Sequence, residues 1–428
     1  MKNTNLFTIL TKFLISILPF YVIIKIYFDK ELWFSFFGFF IKELIVILLF
    51  LVLIYEYFFN KTNIKIELKF NILDYLIFAF IWYGVFITIF NWLWLPSLFY
   101  WGRYDFLWFV VFLIFKHWKI FLKESTKNLI KLFLLWWSIS LFLGIVVKFI
   151  LWEEILSLFW FTIQVSEFWF GGGIPIYQWV EASWIRRFQW ILDSPLAMWY
   201  FLLLFTWLFT AINKKNIDFS VVLWLSILFV LIFLTYSRAA MLWVLVWGWI
   251  LFILNFKYIF KYFKKLFIFS LIWAILWIGV LSYLFQDKIH NVFLRDGSTN
   301  GHITRMITWV ERFIEKPLGS GLATSGPAYR NVFPDKISLE GDRYHIPESW
   351  FVQILVEWGF IYFGLFILIL LNILFDLYKN NNKYILVMFI WILVMNVFLH
   401  IFEATYITIL LFLFLALFYT GQNLQKSK

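Results

Sequence analysis

The sequence predicts an all-α integral membrane protein of about twelve transmembrane helices. Of its 428 residues, 64% are hydrophobic and 25% aromatic, with a mean hydropathy of +0.86. A soluble domain is roughly 45–50% apolar and about 25% charged, so no soluble core buries this much apolar surface. Runs of roughly 18 or more apolar residues recur along the chain, each long enough to cross a hydrocarbon layer about 30 Å thick as a helix. A membrane β-barrel would alternate apolar and polar residues, and runs such as Val221 to Leu234 do not.

Apolar runs set against charged breaks predict spans at 6–28, 32–58, 71–92, 104–122, 128–150, 194–212, 219–236, 239–256, 264–285, 349–378, 384–402 and 405–420. The first follows Lys2 and Lys12 and lacks a small-x-small cleavage site, so it reads as a retained signal anchor. Two connections are long. Residues 151–193 form a Trp-rich loop holding Gly171, Gly172 and Gly173, and residues 286–348 form a polar, partly helical loop between helices nine and ten. With no internal repeat or low-complexity tail in view, residues 1–428 are expected to form one polytopic membrane domain.

Lysines orient the layout. Lys2, Lys12, Lys61, Lys65, Lys69, Lys116, Lys119, Lys123, Lys127, Lys131, Lys214, Lys215, Lys257, Lys261, Lys264, Lys265, Lys379, Lys383, Lys426 and Lys428 fall on one side. That is the positive-inside pattern for a multi-pass protein of the cytoplasmic (inner) membrane with both termini cytoplasmic. Both long loops then face outward. The net charge of +11 is largely this lysine bias, and no nucleic-acid partner is expected. Cysteine is absent, which removes disulfides, thiolate chemistry and Cys-ligated metals.

Arginines show the opposite distribution. Arg103, Arg186, Arg187, Arg238, Arg295, Arg305, Arg312, Arg330 and Arg343 all fall on the outer side of this layout. A guanidinium is a planar fork that binds phosphate or carboxylate through two parallel hydrogen bonds, which lysine does not reproduce. The set points to a phosphate or diphosphate ligand outside. The plainer alternative is that these side chains anchor helix ends at headgroups or pair with acids such as Glu311 and Asp342.

Three outer segments are candidates for chemistry. Thr235-Tyr236-Ser237-Arg238 lies where two apolar helices bracket a single charge, which is costly near hydrocarbon. Arg305 leads through Trp309, Phe313 and Ile314 at helical spacing, so a short amphipathic helix on the outer interface is expected. It ends at Pro317-Leu318-Gly319-Ser320-Gly321, whose glycines permit close backbone approach and can turn N–H groups to an anion. The third segment runs from Tyr344-His345 through Pro347-Glu348-Ser349-Trp350 to Gly359 and Tyr362. Pro347 fits before a helix start, and Glu348 in a first turn suits the positive end of the macrodipole. Glu348 is also placed to take a proton from an attacking hydroxyl, with His345 as the rival base.

Over residues 186–365 this order resembles the bacterial O-antigen ligase/polymerase superfamily. The likeness rests on Arg186, Arg187, Asp193 and Pro195 before a helix, Ser237-Arg238 at a helix end, Arg305-x-x-x-Trp309, and Pro317-Leu318-Gly319-x-Gly321. The ligase frame of His, then Asn, Ser or Gln, nine residues, Gly, two residues and Gly, Thr or Tyr falls on Glu348, Ser349, Gly359 and Tyr362. Glu348 replaces the family's histidine. The resemblance implies a GT-C-like, metal-independent and cofactor-free glycosyltransferase of cell-surface polysaccharide assembly, inverting at the sugar. Its donor would be a polyprenyl-diphosphate-linked glycan (undecaprenyl diphosphate as carrier), its acceptor a glycan, lipid or protein hydroxyl, and membrane lipid a standing partner. Arg238, Arg305, Arg186 and Arg187 would hold the diphosphate, Glu348 or His345 would act as base, and Ser349, Gly319, Gly321 and Gly359 would support them. Polymerisation, en bloc ligation such as to lipopolysaccharide, and transport of a lipid-linked glycan remain open alternatives.

Overall fold

The computed structural model describes residues 6–31, 35–58, 70–93, 102, 104–119, 122, 124–151, 153–162, 174, 178, 186–213, 219–238, 240, 296–326, 329, 347–380 and 382–419. The helices are α1 (Leu6–Ile17), α2 (Tyr21–Lys30), α3 (Ser35–Phe58), α4 (Ile72–Phe90), α5 (Leu107–His117) and α6 (Thr126–Phe149). They continue with α7 (Pro195–Asn213), α8 (Phe219–Leu234), α9 (Asp296–Glu315), α10 (Trp350–Lys379), α11 (Lys383–Phe398) and α12 (Thr405–Tyr419). Helices occupy the positions expected for spans one to seven and ten to twelve; apart from Ala240, the expected spans 239–256 and 264–285 lie outside the described residues, as does His345. Leu6–Lys30, α4, α6, α7 and α10 are long and apolar enough to cross a membrane by length and composition. The protein is a multi-pass helical membrane protein.

The expected first helix is broken. Pro19 removes a backbone donor, and Leu18–Phe20 forms a 3₁₀ turn between α1 and α2. Helix α12 is buried from Thr405 to Phe418 on every face, as is most of α7, so these two lie inside the bundle. Helix α12 packs most extensively on α5. Lipid offers no hydrophobic drive between helices, and close aromatic packing takes its place. Trp137 stacks on Phe201 at 3.5 Å between centroids, Phe80 on Tyr362 at 3.8 Å, and Trp108 lies 4.3 Å from Phe412.

Helix α10 departs most from expectation. The apolar run predicts one helix over 349–378, but Gly359 has φ 76° and ψ 179°, and the chain bends sharply there. Phe351 therefore lies 6.1 Å from Phe363 and 5.9 Å from Phe366, residues that would sit about 18 and 22 Å along a straight helix. Broken backbone at this depth must find new partners. Pro317 to Gly321 supply them: Ser320 N donates to Val356 O at 3.0 Å, Gly321 N to Glu357 O at 2.8 Å, and Phe360 N to Pro317 O at 3.0 Å. A Cβ on Gly319 would meet the Trp358 carbonyl carbon at 2.5 Å, and one on Gly359 would strike Leu318 and Pro317. Both glycines are required by backbone approaching backbone.

At the opposite end, which the lysines assign to the cytoplasmic side, a polar cluster ties four helices. Asn71 and Asp74 form a capping box at the start of α4. Asp74 Oδ1 also receives Lys116 Nζ at 2.6 Å and His117 Nε2 at 2.9 Å from α5. Asn71 Nδ2 donates to the Tyr419 hydroxyl of α12 at 3.1 Å, and that hydroxyl donates to Asp376 of α10. Asp74 is fully buried. Removing one member of a buried ion pair strands the other, so Asp74→Ala should cost about 3–5 kcal/mol. Lys12→Ala, which removes the more exposed partner of Glu124 at 2.5 Å, should cost under about 1 kcal/mol. Unfolding midpoints of the two variants in detergent should separate accordingly, and equal midpoints would refute the ranking.

Candidate active site

Glu348 precedes the helix rather than lying in its first turn. It holds φ 60°, a left-handed conformation that costs a non-glycine residue energy and persists only where its surroundings fix it. Ser349 is the N-cap of α10, its hydroxyl accepting from Val352 N and donating to Asn396 O. Trp350 N donates to Leu399 O, which draws the turn between α11 and α12 against the start of α10.

Helix α9 approaches from the other side. It begins at Asp296, earlier than the spacing around Trp309 suggests, and so carries His302 as well as Arg305. Residues three apart share a helix face, and both side chains reach Glu348. Arg305 Nη2 lies 2.6 Å from Glu348 Oε1, and His302 Nδ1 lies 2.9 Å from Glu348 Oε2. Arg305 Nε is buried without a hydrogen-bond partner, so one donor of the guanidinium is unsatisfied.

His400 and Glu403 complete the cluster from the α11–α12 turn, His400 Nε2 lying 3.4 Å from Glu403 Oε2. Burial pushes the Glu348 carboxyl up, but the His302 hydrogen bond and the charges of His400, His302 and Arg305 outweigh it, and Glu348 titrates below the usual glutamate value. Burial pushes His400 down, so near neutral pH it is uncharged and its help to Glu348 comes only on acidification. Glu403 moves the other way. Burial, followed by the charges of Glu348, Glu357 and Asp193, raises it well above the ordinary range. Two carboxyls at one end of the bundle are thus shifted in opposite directions, an arrangement suited to separating acid from base roles.

Arg186, Arg187 and Arg238 form a second group, while Arg312 stays on α9 beside Trp309. Arg187 N donates to Gln178 O and Phe188 N to Leu234 O, both at 2.8 Å, while Arg187 Nε donates to Thr235 O at 2.8 Å. This joins Arg186 and Arg187 to the turn that bears Arg238 at the end of α8. The same stretch leads to Asp193, which accepts from the Tyr406 hydroxyl at 3.0 Å and whose charge acts on Glu403.

The glycine turn has a different role from the one expected of it. Gly319 N donates to Lys316 O, and the Ser320 and Gly321 N–H groups bond α10 carbonyls, so these donors are engaged within the fold. Gly319, Gly321 and Gly359 hold α9 against α10 rather than offering N–H groups to an anion. His302, His400 and Glu403 were not singled out as site residues by the sequence. Among the described residues no three His, Cys, Asp or Glu side chains are placed to hold a metal ion.

Residues 221–369 match the family model for O-antigen ligase, which supports placing the chain in the O-antigen ligase/polymerase superfamily and matches the resemblance read from the motifs. The matched segment contains Arg238, Arg305, Glu348, Ser349 and the three glycines. No curated protein and no solved structure matches the chain.

The Glu348 shift makes a pH prediction. A carboxylate whose folded pKa is depressed contributes stability above its unfolded value of about 4.3, and that contribution is lost as pH falls through the folded value. The stability difference between the native protein and Glu348→Gln should be present at about pH 5 and shrink below about pH 4. Unfolding midpoints measured across that range test it, and a difference unchanged at about pH 3 would mean that the carboxylate charge is not what holds the cluster.

Proposed function

We propose that the protein transfers or polymerises a polyprenyl-diphosphate-linked oligosaccharide onto an acceptor hydroxyl at the outer face of the cytoplasmic membrane. The observation that carries this reading is the Arg305–Glu348–His302 contact, a guanidinium with one donor unsatisfied sharing a carboxylate, inside the segment matched by the O-antigen ligase model.

In this reading the resting contact is exchanged when donor binds. Arg305 presents Nε and, by turning from Glu348, Nη2 to oxygens of the donor diphosphate, which carries more charge than one carboxylate. Glu348 then loses a cation while remaining buried, and burial alone raises its proton affinity. It becomes a competent base only with donor in place. The acceptor hydroxyl attacks the anomeric carbon, its proton passes to Glu348, and the bond from that carbon to the diphosphate oxygen breaks with its electron pair on the leaving diphosphate. Arg305 stabilises that charge where it develops. Single displacement inverts the anomeric centre. His302 holds the second Glu348 oxygen and orients it. Arg238, Arg186 and Arg187 are assigned to the distal phosphate or to the glycan's path from the α8 side.

Extension of a chain and en bloc ligation use the same chemistry and differ in acceptor. A gel of products distinguishes them, since extension yields a ladder of repeat lengths. Arg305→Ala and Glu348→Gln should each lower transfer by about 10²–10³-fold in protein reconstituted with the lipid-linked glycan pool of its own cells, with folding intact. Activity retained in Glu348→Gln and lost in His345→Ala would reverse the base assignment. Passage of lipid-linked glycan between leaflets with no new glycosidic bond would replace transfer by transport.

A further inference from the structure

Helix α9 has three faces. At 3.6 residues per turn each residue advances about 100° around the axis. His302, Arg305, Trp309 and Arg312 fall in one sector, which packs on α10 and carries the contacts to Glu348; Trp309 is buried, and the Arg312 guanidinium lies 4.4 Å from its ring centroid. Thr304, Glu311 and Glu315 fall in a second, exposed and polar. Ile303, Ile307, Val310 and Ile314 fall between them, spaced four, three and four residues apart, and are exposed by 49%, 52%, 37% and 68%.

That narrow aliphatic row does not end with the helix. Leu318, 52% exposed, extends it, and the bond from Phe360 N to Pro317 O sets this end on the descending limb of α10. There the exposed residues are Phe360, Ile361, Leu368, Leu371 and Phe375, the side a spanning helix turns to lipid. The row is thus continuous with the lipid-facing surface of the bundle.

We propose that α9 is seated in the outer headgroup boundary, with Ile303, Ile307, Val310, Ile314 and Leu318 in the acyl layer of the bilayer. Its three sectors then meet protein, lipid and water in turn, as an interfacial amphipathic helix requires. This seat differs from the one the Trp309 spacing suggests, because Trp309 faces α10 and the lipid row lies about 130° away around the helix axis. It places Arg305 at the depth where a lipid-linked diphosphate leaves the bilayer. The seating stands on the membrane reading alone and survives if glycan transfer does not.

The protein contains no cysteine, so single reporters can be introduced without background. Full-length Ile307→Cys, Ile314→Cys, Thr304→Cys and Glu311→Cys, each nitroxide-labelled and reconstituted in phosphatidylethanolamine–phosphatidylglycerol liposomes, would be compared by collision with dissolved oxygen and with a water-soluble nickel chelate. Labels at 307 and 314 should collide with oxygen and exclude nickel, and labels at 304 and 311 should show the reverse preference. Free nickel access at 307 and 314 would place the row in water. Exclusion of both relaxers there would mean that protein, such as a second copy, covers it. Either result overturns the proposal.

Discussion

The bend at Gly359 is the constraint on which the rest of the site depends. A helix interrupted inside a bundle leaves carbonyls and N–H groups that water cannot reach, and each must be satisfied by protein. Here the donors and acceptors come from Pro317 to Gly321, directly after α9. The repair therefore fixes α9 along the first limb of α10, and one turn of helix geometry then brings Arg305 and His302 to Glu348. Glu357, whose carbonyl accepts from Gly321, is held at its side chain by Ser325 N and Oγ at 2.8 and 2.9 Å, which extends the same clamp beyond the turn. A motif that looks like a ligand loop is the joint that positions the site.

Electrostatics decide what the joined elements can do. Glu348 is pulled two ways, upward by burial and downward by its cationic neighbours, and the neighbours prevail at rest. Glu403 has the burial without a comparable set of cations and is driven up. The difference lies in the partners, since both carboxyls sit at the same end of the bundle. The cluster around Asp74 has the same ingredients but closes them into a capping box and a hydroxyl chain, so its charges serve to join helices.

The fold class was legible because lipid imposes its demands locally. Each span must be apolar on its own, and runs such as Ile72–Phe90 and Thr126–Phe149 show it without reference to the rest of the chain. Arg305 and Glu348 could be picked out as candidates because short motifs flank them, and the structure brings the two into contact. His302 was within reach, being three residues from Arg305 on one face, but Asp296-Gly-Ser-Thr-Asn-Gly is a poor helix sequence and gave no reason to extend α9 backwards. His400 and Glu403 join the site through the bond from Trp350 N to Leu399 O, a pairing between separate helices that leaves no periodic trace. The bend in α10 was invisible to hydropathy because the residues on both sides of Gly359 are apolar.

The substitution of Glu348 for the histidine of the ligase frame has a physical resolution in these contacts. A general base works best when its proton affinity lies near the ambient pH, which histidine meets without adjustment and a free carboxylate does not. Burial can raise a carboxylate to that range, but a buried, unpaired carboxylate is costly to keep and would be protonated before substrate arrived. In the proposed mechanism the Arg305–Glu348 pair would remove the difficulty at rest, since a diphosphate is the kind of ligand that competes for a guanidinium already so engaged. A protonated histidine in that position would be repelled by Arg305, and a neutral one would accept a hydrogen bond without forming an ion pair. In the proposed mechanism, the exchange of residue would therefore couple donor binding to base strength in a way that a histidine base would lack.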